Sequence, residues 1–158
     1  MINTNIIYRL DFVQNLIYSL ERLEKDRNFC KHHMEHFLSV ARICYILCLE
    51  NSLDIDKDLI YSAALLHDLG RVNEILDGTE HNLASVEIAE RALAYTSFSD
   101  EDKKLIISAI KNHRRLQEGL SFESLFYKAD KLSRTCFNCL AENDCNWPNQ
   151  KKNLIIKY

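Results

Sequence analysis

The chain has 158 residues, of which 47% are hydrophobic and 27% charged, a balance that suits one globular domain with its own core. A net charge of −3 disfavours strong attraction to nucleic acids or to membrane surfaces. No apolar run reaches the length of a membrane-spanning helix, and the first five residues do not resemble a signal peptide, so we expect a cytoplasmic protein. Only three glycines and one proline favour an all-α fold over many short strands.

The first predicted helix covers about residues 5–25. Its apolar residues recur at spacings of three and four, as in an amphipathic helix with one buried stripe: Ile6, Leu10, Val13, Ile17 and Leu20. Two alternatives stay open for this helix: it packs against its own domain, or it packs against a second subunit in a homodimer.

A second helix is predicted over about residues 30–51, with Val40, Ile43 and Leu47 on its buried face. His36 lies one turn before Val40 and shares that face. The two histidines just upstream, His32 and His33, are expected to be exposed and not to bind a ligand.

A third helix begins after the capping sequence Asp54-Ile55-Asp56 and runs through Leu59, Ala63 and Leu66 into His67-Asp68. Gly70 fits a left-handed cap that ends this helix. An imidazole and a carboxylate at the end of an apolar helix need a polar partner, which a hydrogen bond between them or a metal ion can supply.

Three further helices complete the pattern. A turn at 77–79, with Thr79 as a cap, precedes a helix that starts near His81. Ser99 and Asp102 resemble a capping box for a helix that ends at His113. Ser121 begins a last helix. In the helix that starts near His81, the expected core positions are Leu83, Val86 and Leu93. In the last helix they are Phe122, Phe126 and Asp130.

Six polar residues thus fall on core-facing positions or at helix ends. Burying an unpaired charge costs several kcal/mol. We therefore do not expect six such residues in so small a core each to have a separate structural role. A shared cation satisfies all six, and their nitrogen and carboxylate ligands suit Fe, Mn, Co, Ni or Zn. The six are His36, His67, Asp68, His81, His113 and Asp130.

Three local motifs resemble the HD-domain superfamily of metal-dependent phosphohydrolases. They are the segments 36–42 (HFLSVAR), 65–71 (LLHDLGR) and 128–132 (KADKL), and the resemblance covers about residues 30–133. It implies one HD domain over 1–158: a five-helix metal-binding core, an extra N-terminal helix and a short irregular tail over about 134–158. It also implies a first metal bound by His36, His67, Asp68 and Asp130.

His81 and His113 occupy the places of second-metal ligands in the dinuclear branch of that superfamily, with Asp68 as the bridging residue. The resemblance therefore implies two divalent transition-metal ions. A six-ligand set of this kind is shared by diadenosine tetraphosphate hydrolases and by di-iron oxygenases. Cyclic-di-GMP phosphodiesterases are disfavoured, because Arg114 stands where they carry a further histidine and their Gly-Tyr-Pro motif is missing.

The expected function is a phosphohydrolase that acts on a small phosphorylated substrate, a nucleotide or a related phosphomonoester or diester, through a metal-activated water. Asp68, Arg71 and Lys131 are the expected catalytic residues, and Arg71, Arg114 and Lys131 are the phosphate-binding candidates. Arg115 is expected to be a solvated surface charge and not a phosphate ligand. A di-iron oxygenase and a non-catalytic metal- or nucleotide-binding module are the alternatives.

The tail carries Cys136, Cys139 and Cys145 in a C-x2-C-x5-C spacing that is typical of metal chelation. Cys30 is the candidate for a fourth ligand. Structural zinc, a [4Fe-4S] cluster and free thiols all remain open. Cys44 and Cys48, in an apolar stretch, are expected in the core.

Overall fold

Eight α-helices and no β-strand make up the regular structure of the protein, and the computed structural model describes residues 1–158. The predicted all-α fold is therefore confirmed. None of the helices combines the length and the apolar character that crossing a membrane requires. In chain order the helices are α1 (Ile2–Tyr8), α2 (Asp11–Leu23), α3 (Met34–Glu50), α4 (Lys57–Leu66), α5 (Arg71–Asp77), α6 (His81–Leu93), α7 (Asp100–Asn112) and α8 (Phe122–Leu132).

Helix α4 packs against α1, α3, α6 and α7, while α8 packs against α3 and α7, and α6 packs against α7. Apolar side chains from these helices form one continuous core, in which Phe37, Leu66 and Phe126 are fully buried. Cys44 and Cys48 lie in this core as expected. The polar candidate residues sit at one end of the same core, because each follows or precedes the apolar stripe of its helix.

The helix caps agree with the sequence pattern. The Asp56 carboxylate accepts from the backbone N–H groups of Asp58 and Leu59 at the start of α4. Ser99 forms a capping box with Asp102, and Ser121 forms one with Ser124. These side chains satisfy N–H groups that have no partner inside the helix.

The single N-terminal helix predicted over about residues 5–25 is wrong, because the chain breaks at Leu10 into α1 and α2. Leu10 has an extended backbone, with φ −67° and ψ 124°. The backbone N–H groups of Asn3 and Thr4 both donate to the Asp58 carboxylate at 2.8 Å. This contact fixes α1 on α4, whereas α2 packs against α5.

The second predicted helix also starts later than expected, at Met34 and not at Cys30. The backbone N–H of His32 donates to the Glu24 carboxylate at 2.6 Å, which holds the segment before α3 out of the helix. Cys30 consequently lies in the lead-in to α3.

Gly70 is not a left-handed cap, because its φ of −64° and ψ of −10° are helical. Its role is close approach. A Cβ at this position would collide with the carbonyl oxygen of His81 and with the backbone nitrogen and hydroxyl of Ser85. The Gly70 N–H donates to the Ser85 hydroxyl at 2.9 Å. This contact draws the start of α6, and with it His81, against the His67-Asp68 turn.

The segment after Gly70 forms the short helix α5, which the sequence pattern did not reveal. Gly78 ends this helix in the left-handed conformation at φ 81°. Helix α6 then follows Glu80, so Thr79 is not its cap, and the Asp77 carboxylate instead accepts the Thr79 N–H. Leu83 is exposed, which contradicts its assignment to the core, whereas Leu93 is buried.

The C-terminal tail is irregular, as expected, with only two short 3₁₀ turns at Cys136–Asn138 and Asn149–Lys151. It folds back on the end of α8. The Asn153 amide donates to the carbonyl oxygens of Lys131 and Arg134 at 2.7 and 2.9 Å, and the Phe137 N–H donates to the Asn153 carbonyl at 2.8 Å.

Replacing Gly70 by Ala is expected to lower the free energy of unfolding by about 1–3 kcal/mol, because backbone atoms of α6 must move to admit the methyl group. Gly78→Ala is the matched control, since it meets no atom within 4 Å and costs only about 1–2 kcal/mol for its positive φ. Urea unfolding measures both. Because Gly70 lets α6 place His81, an expected metal ligand, Gly70→Ala should also weaken metal binding, whereas Gly78→Ala should not. Equal metal binding in the two variants would contradict this role of Gly70.

Candidate metal centre

The structure brings all six core-facing polar residues to one place. One ligand atom from each of His36, His67, Asp68 and Asp130 lies within 4.8 Å of the others, and the same holds for Asp68, His81 and His113. Asp68 belongs to both groups. All six residues are buried.

Helix ends position these side chains. His36 lies in the first turn of α3, and His81 is the first residue of α6. His67 and His113 directly follow α4 and α7. Asp130 lies in the last turn of α8. The centre therefore depends on five helices that meet at one end of the bundle.

The two carboxylate oxygens of Asp68 face different histidines. Its Oδ2 lies 3.1 Å from Nε2 of His67 and 3.5 Å from Nε2 of His36. Its Oδ1 lies 3.5 Å from Nε2 of both His81 and His113. Asp68 thus stands between two sets of imidazole nitrogens, one set for each oxygen.

Backbone carbonyls orient two of the rings. Nδ1 of His67 donates to the Ala64 carbonyl at 2.8 Å, and Nδ1 of His113 donates to the Ile110 carbonyl at 2.6 Å. A carbonyl can only accept, so in the neutral ring the proton is assigned to Nδ1 and the Nε2 lone pair points into the centre.

Side chains orient the other two rings in the same sense. Nδ1 of His81 lies 2.9 Å from a Glu74 carboxylate oxygen. Nδ1 of His36 lies 3.1 Å from the Ser133 hydroxyl, which donates its own proton to the Asp130 carbonyl. Outer partners of this kind are typical of metal-binding histidines.

The inner nitrogens have no protein donor to satisfy them. Nε2 of His36 and Nε2 of His67 are buried without a hydrogen-bond partner. Nε2 of His81 lies 3.2 Å from Nε2 of His113, so two lone pairs face each other in the neutral tautomers. Cations accept all four lone pairs, and imidazole with carboxylate suits Fe, Mn, Co, Ni or Zn. The donor set therefore fits divalent metal ions.

The charges in the centre favour ionised carboxylates. Burial raises the pKa of Asp68, but in the metal-free protein the nearby positive charge of His67 outweighs burial and holds the pKa well below its usual value. Burial lowers the pKa of His36 to about 4, so this ring is neutral at neutral pH. Burial also lowers the pKa of His67, but the Asp68 charge outweighs it and the net direction is upward.

Two cations also contact the Asp130 carboxylate. Arg134 donates to its Oδ1 at 3.1 Å, and Lys131 pairs with its Oδ2. Burial would raise the pKa of Asp130, but these two charges lower it below its usual range. The carboxylate is thereby kept ionised and fixed beside Nε2 of His36, at 3.5 Å.

The expectation that His32 is exposed is wrong, because its ring is buried at the edge of the centre. Its Nδ1 lies 2.8 Å from the Glu24 carboxylate, and its Nε2 lies 3.7 Å from Oδ2 of Asp68. Arg134 points at that same Nε2 from 3.3 Å. His33 is half-buried and belongs to neither group of candidate ligands.

Glu24 is the residue that sequence reasoning missed. It is buried at the end of α2, it holds His32, and it accepts from Nε of Arg71 at 3.1 Å. Burial alone would raise its pKa, but the hydrogen bonds and charge of His32 lower it to about 2. Only its position in a run of charged residues was visible in the sequence, and that run is typical of an exposed link.

The basic candidates line a cavity of about 360 Å³ that opens over Asp68, His81 and His113. Arg71, Arg114 and Lys131 all line it, and Arg115 does not. Arg71 is held from two sides, by Glu24 and by Glu74 at 3.2 Å. Arg114 is exposed beside His113, and Lys131 is half-buried.

The four cysteine candidates, Cys30, Cys136, Cys139 and Cys145, lie around a second cavity of about 280 Å³. It adjoins the first, because Cys30, Cys136 and Cys145 line both. All six cysteines of the chain are free thiols.

Comparison with known proteins agrees with this geometry. The family model of the HD domain matches residues 34–141. A protein of Clostridium beijerinckii described as uncharacterized is 43% identical over 145 residues, which cover 90% of this chain and 92% of that protein. This chain therefore belongs to the HD-domain family, as its motifs indicated.

The fold has a counterpart of known structure. The crystal structure of a predicted HD superfamily hydrolase from an uncultured Thermotogales bacterium aligns with a TM-score of 0.58 and 23% identity, covering 82% of this chain and 72% of that one. At this identity the likeness concerns the fold.

Glu24→Gln is expected to lower the free energy of unfolding of the metal-free protein by about 1–3 kcal/mol at neutral pH, because a buried charged acceptor is lost. The folded-state pKa of Glu24 is about 2, below its ordinary 4.5, so its stabilisation is complete above about pH 4.5 and is lost as the pH falls toward 2. Urea unfolding across this range should show the difference shrink. Exposed Glu21→Gln is the control, and a Glu24→Gln effect independent of pH would contradict the interpretation.

Removing single ligands should remove single ions. After loading with Mn²⁺, which prefers nitrogen and oxygen ligands over thiolates, the wild type is expected to retain about two ions per chain. His36→Ala and His113→Ala should each retain about one, and Asp68→Ala none, because Asp68 belongs to both groups. His33→Ala, with circular dichroism to check folding, is the matched control that retains two. Full retention in Asp68→Ala would contradict the assignment.

Proposed function

We propose that this protein is a metal-dependent phosphohydrolase that cleaves a nucleotide or a related phosphate ester at a two-metal centre. One observation carries the proposal: Asp68 directs Oδ2 toward His36 and His67, and Oδ1 toward His81 and His113. A carboxylate between two sets of imidazole nitrogens is an arrangement that suits two cations. The structural neighbour is described as a predicted HD superfamily hydrolase, which agrees with hydrolysis as the class of reaction.

Divalent ions in such a centre lower the pKa of a coordinated water toward neutrality and stabilise charge on phosphate oxygens. The chain's own contribution is to hold the ligands still. Backbone carbonyls fix His67 and His113, Glu74 fixes His81, and Ser133 fixes His36. Because these groups are buried and pre-oriented, little reorganisation is needed during the reaction.

The cavity above the centre favours a polyanionic substrate. Five cations line it, whereas Asp68 and Asp130 are its only carboxylates. Arg71 is paired with Glu24 and Glu74, and Lys131 and Arg134 are paired with Asp130, whereas Arg114 forms no ion pair. The cavity wall still carries three more cations than carboxylates. Arg is the better bidentate clamp for phosphate. The five are Arg27, Arg71, Arg114, Lys131 and Arg134.

Two of these cations have distinct expected roles. Arg71 is held in a fixed orientation by Glu24 and Glu74, which suits a residue that positions a phosphate beside the centre. Arg114 has no such restraint and lies at the exposed mouth of the cavity. We assign it to initial capture of the phosphate.

Aromatic side chains on the cavity wall favour a nucleotide over a smaller phosphate ester. Trp147, from the tail, and Phe29, from the lead-in to α3, both line the cavity. Flat apolar rings of this kind stack on bases without reading their sequence. A di-iron oxygenase with the same six metal ligands would not require the cations that line this cavity.

The test is a panel of nucleotides and p-nitrophenyl phosphates, each assayed with Mn, Co, Ni, Mg and Fe. Release of phosphate or of a nucleotide with at least one metal, abolished in Asp68→Ala, is the expected result. Oxygen consumption with reduced iron and no phosphate-ester cleavage would favour the oxygenase. Metal and nucleotide binding without turnover would favour a non-catalytic module.

Two neighbouring arginines provide a matched comparison. Arg114→Ala is expected to raise KM for the phosphate substrate about tenfold, because a charge-assisted contact at the cavity mouth is lost. Arg115→Ala removes an adjacent exposed charge that does not line the cavity, and it should change KM by less than about twofold. Steady-state kinetics measure both, and equal effects of the two substitutions would contradict the assignment.

A further inference from the structure

Four cysteines from separate parts of the chain surround one cavity beside the metal centre. Cys30 precedes α3, Cys136 begins the first 3₁₀ turn and Cys139 follows it, and Cys145 lies farther along the tail. All four line the cavity of about 280 Å³, and none takes part in a disulfide. The fold thus brings Cys30 to thiols that are more than 100 residues away in sequence.

The sulfurs are not grouped as closely as the ligands of one zinc ion. Zn–S bonds of about 2.3 Å put the thiolates of a tetrahedral site about 3.8 Å apart. No three of the four sulfurs lie within 4.8 Å of one another, although the His/Asp groups meet that distance. A four-iron cluster is larger than one ion, and each thiolate binds a different iron, so its ligands stand farther apart.

We propose that Cys30, Cys136, Cys139 and Cys145 bind a [4Fe-4S] cluster that joins the C-terminal tail to the segment before α3. The number of thiols, their common cavity and sulfur positions that do not group as zinc ligands do together favour this cofactor. The proposal concerns a site separate from the His/Asp centre, and it stands or fails independently of hydrolysis.

The cavity is lined by three cations, Lys31, Arg134 and Lys152, and by two carboxylates, Glu35 and Glu142, which leaves a surplus of positive charge for a negatively charged cluster. Arg134 is buried on its wall, and Lys152 lies on it with a side chain that is 6% exposed. Lys152 is held by Glu142, whose carboxylate it contacts at 2.6 Å. Four thiolates and a cluster placed in this cavity would bring negative charge that these side chains offset.

Arg134 connects the two sites. Its guanidinium donates to Asp130 at 3.1 Å and points at Nε2 of His32, while the same side chain lines the cysteine cavity. The tail beyond the cysteines also carries Trp147 to the wall of the cavity above the metal centre. The cluster would therefore hold in place one wall of the proposed substrate cavity.

Acid-labile sulfide is the decisive measurement, because iron alone could also occupy the His/Asp centre. Protein prepared without air, or reconstituted with iron and sulfide, is expected to be brown and to contain about four sulfides per chain. Reduction should give the electron paramagnetic resonance signal of a reduced cluster. Colourless protein with no labile sulfide after reconstitution, or with one thiolate-bound zinc, overturns the proposal.

Substitutions locate the cluster. Cys30→Ser and Cys145→Ser are each expected to lower the sulfide content by at least about half relative to the wild type. Cys48→Ala, in the core and away from the cavity, is the matched control that keeps the full content. Full sulfide content in both serine variants would overturn the assignment. If the serine variants do not fold, the sulfide content of the wild type still decides whether a cluster is bound.

Discussion

A buried carboxylate, Asp68, is the group on which this structure depends. Its negative charge would be costly in the core without partners, and the fold supplies imidazoles on both of its oxygens. Those imidazoles come from the ends of α3, α4, α6 and α7, so satisfying one charge requires four helices to converge. The packing of these helices and the geometry of the centre therefore depend on the same buried charge.

A second layer of residues makes the centre rigid. Each of the four histidines has an outer partner that directs its Nε2 inward, and Glu24 does the same for His32 from helix α2. Glu24 also holds Arg71, so one buried carboxylate links the metal centre to the proposed phosphate site. Gly70 adds a steric requirement, since only glycine lets α6 approach closely enough to present His81.

The features that could be predicted from the sequence are those that depend on local periodicity. His36, His67 and Asp130 were visible because each interrupts an apolar stripe at helical spacing, and the caps at Asp56, Ser99 and Ser121 follow local rules. The motifs added the family, which the comparisons confirm. Roles of individual ligands, the metals and the substrate stay proposals.

What the sequence did not reveal depends on contacts between distant segments. His32 is buried because it meets Glu24, which lies in a charged stretch that is typical of a surface link. Helices α1 and α2 separate because α1 docks on Asp58, more than 50 residues away. Gly70 was taken for a cap because its neighbour Ser85, on another helix, cannot be inferred from spacing.

A crystal structure of the Mn²⁺-loaded protein, with anomalous scattering from manganese, tests the central claim most directly. Two peaks about 3.5–4 Å apart are predicted, one beside Oδ2 of Asp68 with His36 and His67, the other beside Oδ1 with His81 and His113. A single peak, or none within bonding distance of Asp68, would contradict the two-metal centre.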